Sequence, residues 1–234
     1  MKTSNRILFM TGIIIAGIVF ALVLGSRIFL HSYKDSFEEG NSNYTKRETN
    51  IEEFRNFNSM DISGNWEVIV SKGDDFSVTV YTPPGLEDQY NIVRNEDTLF
   101  AEDKQILKSN KEFTLEIVMP EIQKINTSGE TKLELTGFTG PELIINISGG
   151  AWITGSNCEF ENLFLTSAGA VNLEFEETKT VNADVQLSGA GNLLFNMDGG
   201  ILSGNAAGAV NIEYYGNAQQ KIKAAGLVNI SQRD

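Results

Sequence analysis

The sequence predicts an all-β domain, a parallel β-helix of about 20 residues per coil, preceded by one N-terminal transmembrane helix. Three observations predict it. Glycines recur at Gly129, Gly149, Gly169, Gly189, Gly208 and Gly226, at separations of 20, 20, 20, 19 and 18 residues. Four positions after each stands an aliphatic residue: Leu133, Ile153, Leu173, Leu193, Ile212 and Ile230. At the other end of the chain, Ile7 to Ser26 is a run of 20 residues without a charge, about the thickness of a bilayer core when helical.

The N-terminal run reads as an uncleaved single-span anchor. Signal peptides carry a shorter apolar stretch, about 7–15 residues, closed by a small-x-small site. Val23-Leu24-Gly25-Ser26 has no such pattern, and no cysteine follows for a lipid anchor. Lys2 and Arg6 precede the run, and Arg27 and His31 follow it. The short basic tail favours an inside N-terminus, which makes the chain a single-pass cell-membrane protein with its C-terminal domain extracytoplasmic. The organisation expected is a tail at 1–6, a transmembrane anchor at 7–30, a polar linker at 31–54 and the domain at 55–234. Gly12/Ala16 and Gly17/Ala21 have the small-xxx-small spacing through which membrane helices pair.

Within the domain, apolar and polar residues alternate on both sides of each repeating glycine, as on strands. Each glycine follows a small residue and marks a bend that a side chain would obstruct. A strand-bend-strand unit of this length cannot bury its apolar face alone, but stacked copies can. A β-sandwich of short antiparallel strands is the rival arrangement, and it gives no reason for constant chemistry at fixed offsets.

The position three after each glycine holds Lys132, Trp152, Asn172, Asn192, Asn211 and Asn229, between two inward positions. Stacked asparagines at strand spacing hydrogen-bond amide to amide. Trp152, Asn172, Asn192, Asn211 and Asn229 therefore form the candidate binding face, an amide-lined strip for sugar or protein contact. Two positions further on, Glu134, Glu174 and Glu213 stand too far apart to make a cation cage.

Upstream of Gly129 the pattern is less regular. Ile62-Ser63-Gly64 with Trp66, Val68 and Val70 repeats the unit, and the 65 residues from Gly64 to Gly129 suggest about three coils with longer loops. Phe76, Val78 and Val80 alternate, as do Phe113, Leu115, Ile117 and Met119 before Pro120. Asp74-Asp75 reads as a hairpin tip, Cys158 as a loop residue between coils, and Asp198-Gly199-Gly200 as a turn. Lys221 and Lys223 in the last coil discourage edge pairing.

Composition narrows the chemistry. Beyond residue 30 stand 15 basic residues against all 31 acids, a surface that repels nucleic acid. One cysteine and one histidine leave no disulfide framework and no thiolate or imidazole metal cluster, so no cofactor or metal is expected. Catalysis on a glycan would need paired carboxylates. Glu174 with Glu176, and Asp184 with Asp198, are the candidates inside the repeats.

The opening strand Phe57-Asn58-Ser59-Met60-Asp61-Ile62-Ser63-Gly64, the Met119-Pro120-Glu121-Ile122 step and the Ser-Gly or Ala-Gly units at 147–150, 167–170, 187–191 and 206–210 resemble a bacterial family. It is the "putative auto-transporter adhesin head GIN domain" family, and the resemblance covers about residues 54–231. It implies a right-handed β-helix, a cell-envelope setting and no catalytic residues. The expected function is a non-enzymatic, membrane-anchored adhesion, binding or structural module. A polysaccharide-active enzyme and an envelope-stress signalling accessory are the alternatives. Expected partners are the membrane, an envelope polymer or protein, and a second copy through the helix or the open β-helix end.

Overall fold

The computed structural model describes residues 45–48, 54–104 and 112–233, all within one compact unit, Thr45–Asp234. The centre of the sheet is β2 (Ser59–Lys72). Its alternation turns Met60, Ile62, Trp66, Val68 and Val70 inward, where all are fully buried. At Gly64 the backbone takes a φ of +105° and the strand bends.

The sheet grows from β2 in two ways. On one side β7 (Lys124–Thr136) runs parallel, with Gly129 opposite Gly64 and Leu133 opposite Val68. The long extended run β8 (Thr139–Gln232) continues beside β7 with Gly149 opposite Gly129 and Ile153 opposite Leu133. Farther along β8 the backbone returns beside itself, so that Gly169, Gly189, Gly208 and Gly226 each pack on the backbone of the preceding glycine. Like residues consequently stand in columns. Ile145, Leu165 and Val185 form one buried column, and Leu133, Ile153, Leu173, Leu193 and Ile212 another. Phe160, Phe175 and Phe195 are buried on the same run.

On the other side of β2 the chain builds differently. Strand β5 (Thr98–Asp103) lies parallel to Ser59–Ser63, and β6 (Phe113–Met119) lies parallel to Trp66–Lys72. Two strands share one edge, divided at the Gly64 bend. Onto β5 folds β4 (Tyr90–Asn95), antiparallel; onto β6 folds β3 (Ser77–Thr82), antiparallel, and β1 (Thr45–Glu48) pairs antiparallel with β3. Trp66 packs 5.0 Å from the Phe113 ring, and Tyr90 meets Phe113 at 5.5 Å, so three strands close over one aromatic cluster. Pro120 ends β6, since it has no N–H to donate to the ladder.

The expected right-handed parallel β-helix is thereby corrected. The described residues form one curled, mixed sheet, in which three of seven strand pairings are antiparallel. Period-2 alternation marks a strand without giving its neighbour's direction; the β4–β5 hairpin and the long-range pairings of β3 with β6 and β1 supply the antiparallel members. Among the described residues no helix is long and apolar enough to cross a membrane, and the Ile7–Ser26 run lies outside them.

Three smaller expectations change with it. The 65 residues between Gly64 and Gly129 do not add three coils; β2 and β7 are direct neighbours, and the intervening chain covers the far edge of β2. Asp74 and Asp75 join β2 to β3 without a hairpin, because β6 lies between those strands. Cys158 sits within β8, buried, rather than in a loop.

Candidate functional site

The amide strip lies on β8. Trp152, Asn172 and Asn211 each stand between two buried residues, as Asn172 does between Val171 and Leu173, and Asn192 and Asn229 hold the same place in the alternation, which turns the strip away from the core. The amides form a directional ladder. Asn229 Nδ2 donates to Asn211 Oδ1 at 2.8 Å, Asn211 Nδ2 to Asn192 Oδ1 at 3.1 Å, and Asn192 Nδ2 to Asn172 Oδ1 at 3.0 Å. Asn172 Nδ2 closes the series on Glu174 Oε1 at 3.0 Å. Each internal bond spends one of two amide N–H groups and one oxygen lone pair, leaving one donor and one acceptor site per residue for solvent or ligand. Trp152 continues the strip, half-buried, three residues after Gly149. Beyond it the column becomes ionic, with Lys132 Nζ 2.8 Å from Glu67 Oε1.

Two further ladders were missed by sequence reasoning. Three residues before the glycines, Asn146 Nδ2 donates to Asn126 Oδ1 at 3.0 Å and Asn126 Nδ2 to Asp61 Oδ2 at 3.2 Å. In the same column Asn205 Nδ2 donates to Gln186 Oε1 at 2.8 Å. A separate rung joins Asn182 Nδ2 to Asn162 Oδ1 at 3.1 Å. The signal was available in the first case, as amide or carboxylate side chains at a constant offset from the repeating glycines.

Two of the four candidate carboxylates hydrogen-bond within the repeats. Glu174 is engaged by Asn172, and Asp184 accepts from Gln186 Nε2 at 2.7 Å and Ser203 Oγ at 2.8 Å. Two clefts among the described residues, of about 400 and 370 Å³, are lined by Gly199, Gly200, Asn217, Ala218, Gln219 and Gln232, and by Asn56, Phe57, Asn58, Phe76, Pro120 and Glu121. None of the four candidate carboxylates lines either. Among the described residues no group of three or more His, Cys, Asp or Glu side chains is placed to hold a metal ion.

One carboxyl is strongly perturbed. Burial, followed by the charge of Glu67, pushes Glu112 up to about 7, against the opposing pull of Lys132. Burial likewise raises the Cys158 thiol.

Comparison with known proteins agrees with the shape of the sheet. A "putative adhesin" from Bacteroides fragilis NCTC 9343 matches at 15% identity and a TM-score of 0.60, covering 82% of this chain and 98% of that one. A "putative adhesin" from Parabacteroides distasonis ATCC 8503 matches at 15% identity and a TM-score of 0.50, covering 83% of this chain and 98% of that one. At such identities the likeness concerns the fold alone. No curated protein matches the sequence. The family model described as "Putative auto-transporter adhesin, head GIN domain" matches residues 56–230. Three quarters of the chain thus lies within that one model, and the chain belongs to the putative auto-transporter adhesin, head GIN domain family.

Proposed function

We propose that the chain is a non-catalytic adhesion or binding module, held at the bacterial cell membrane by residues 7–30 with its all-β domain outside the cytoplasm. The observation that carries the reading is the amide ladder from Asn172 to Asn229. A rigid row of amides, each with a donor and an acceptor to spare, suits the hydroxyl groups of a neutral envelope polysaccharide. Successive strands stand about 4.8 Å apart, so four asparagines offer a track of roughly 14 Å. Trp152 at its end adds an aromatic face. The acidic domain disfavours anionic polymers by the same charge that disfavours nucleic acid. Family membership in an adhesin-like group supports the binding role, and the engaged state of Glu174 and Asp184 supports a role without turnover.

The test is co-sedimentation of the full chain with purified bacterial sacculi and, separately, with an insoluble neutral glucan. The wild type is expected to pellet with one of them. The double variant Asn192→Ala/Asn211→Ala should lose at least tenfold in retention while keeping its circular dichroism spectrum. Asn205→Ala, on the neighbouring ladder, should pellet normally. Equal retention of all three proteins defeats the reading.

A further inference from the structure

The repeating pattern changes in the last turn of β8. Val228 and Ile230 occupy the same columns as Val210 and Ile212, which are 4% and 0% exposed, yet both are only half-buried. The position after the repeating glycine is Glu130, Gly150, Ala170, Ala190 and Ala209 in the earlier turns. In the last turn it is Leu227, 76% exposed. The seven residues Gly226-Leu227-Val228-Asn229-Ile230-Ser231-Gln232 carry no charge, in a chain of net charge −13. Among the described residues no strand pairs with the outer edge of this segment. Lys221 and Lys223 guard the first half of the turn, whereas Gly226–Gln232 carries no such guard and is exposed or half-buried throughout.

We propose that Gly226–Gln232 pairs antiparallel with the same segment of a second copy, about a twofold axis passing through Asn229. The segment is self-complementary in that register. Val228 opposes Ile230 of the other copy, and Ile230 opposes its Val228, so both half-buried residues gain an apolar neighbour. Asn229 opposes Asn229. Its Nδ2 spends one N–H on Asn211 Oδ1, and its second N–H and its Oδ1 complete a reciprocal amide pair across the axis. The amide ladders of the two copies join into one. Lys221 and Lys223 lie outside the paired stretch, and no charged side chain falls on the axis, so two strongly acidic bodies meet at their uncharged seam. A head-to-tail contact is disfavoured, because β4, one of the two strands that end the sheet away from β8, brings Arg94, and such a contact would propagate an open filament.

The test uses the full chain in detergent micelles, with its native buried Cys158 retained and the wild type as the blank. Under mild oxidation Asn229→Cys should form a disulfide-linked dimer, at least tenfold more than Asn192→Cys, which occupies the same column inside the stack. A dimer held at any other surface gives no preference for position 229 and overturns the proposal, as does the absence of cross-linking in both variants. Asn229→Asp places two carboxylates at the axis and should weaken association at least tenfold at pH 7 by sedimentation. Recovery of association at pH 4 would separate repulsion from misfolding. Unchanged association of Asn229→Asp at pH 7 also overturns the proposal.

Discussion

Gly129 packs against the carbonyl oxygen of Gly64, 65 residues earlier in the chain; a Cβ at Gly129 would stand 2.6 Å from that oxygen. The same relation holds between Gly149 and Gly129, Gly169 and Gly149, and Gly189 and Gly169. Glycine is required there twice over, by the close approach and by a positive φ of +132° at Gly189. Replacing Gly189 by Ala is expected to cost about 2–4 kcal/mol, from strain plus displacement of the neighbouring turn. Gly85→Ala carries a φ of +83° but meets nothing within 4 Å, and should cost about 1 kcal/mol. Urea midpoints of the two variants give the comparison.

The ladder predicts a graded series. Asn192→Ala removes two inter-turn hydrogen bonds, to Asn172 and from Asn211, whereas Asn229→Ala removes one. The freed partners are exposed and regain water, so the losses are modest, about 1–2 kcal/mol for Asn192 and about half of that for Asn229. Thermal unfolding of both variants checks the ratio.

Glu112 predicts a pH dependence. Folded, it holds its proton to about pH 7, and unfolded only to about 4.5. Below 4.5 both states are protonated and there is no penalty. As pH rises from 4.5 to 7 the unfolded chain releases the proton first, so stability falls, and above 7 the penalty is complete. Glu112→Gln should flatten this slope and leave the protein more stable at pH 8 by about 1–3 kcal/mol, with little change at pH 4. Denaturant titrations at the two pH values decide it.

Cys158 is buried within β8 against the carbonyl oxygens of Ser156 and Leu135, and its thiol is held above its usual range by burial. A disulfide reagent should leave it unmodified in the native protein at pH 8 and modify it fully in denaturant. Rapid native labelling would refute the placement.

From the amino-acid order alone, the columns were legible: the glycine spacing, the aliphatic positions four residues on, and the outward asparagines. These depend on a period of two and on the space around one α-carbon, both local properties. The family was legible for the same reason, since the resemblance rested largely on those repeating units. The antiparallel pairings of β3 with β6 and β4 with β5 were not, nor was the placing of β5 and β6 along two halves of β2. Partner direction depends on which edge a returning segment reaches, and β3 reaches a strand that begins 31 residues after its own end, at Phe113. The raised Glu112 carboxyl was equally hidden, because Glu67, Glu130 and Lys132 gather around it from distant strands. Local side-chain chemistry set the rows of this protein; long-range packing alone chose their neighbours, because alternation carries no information about direction.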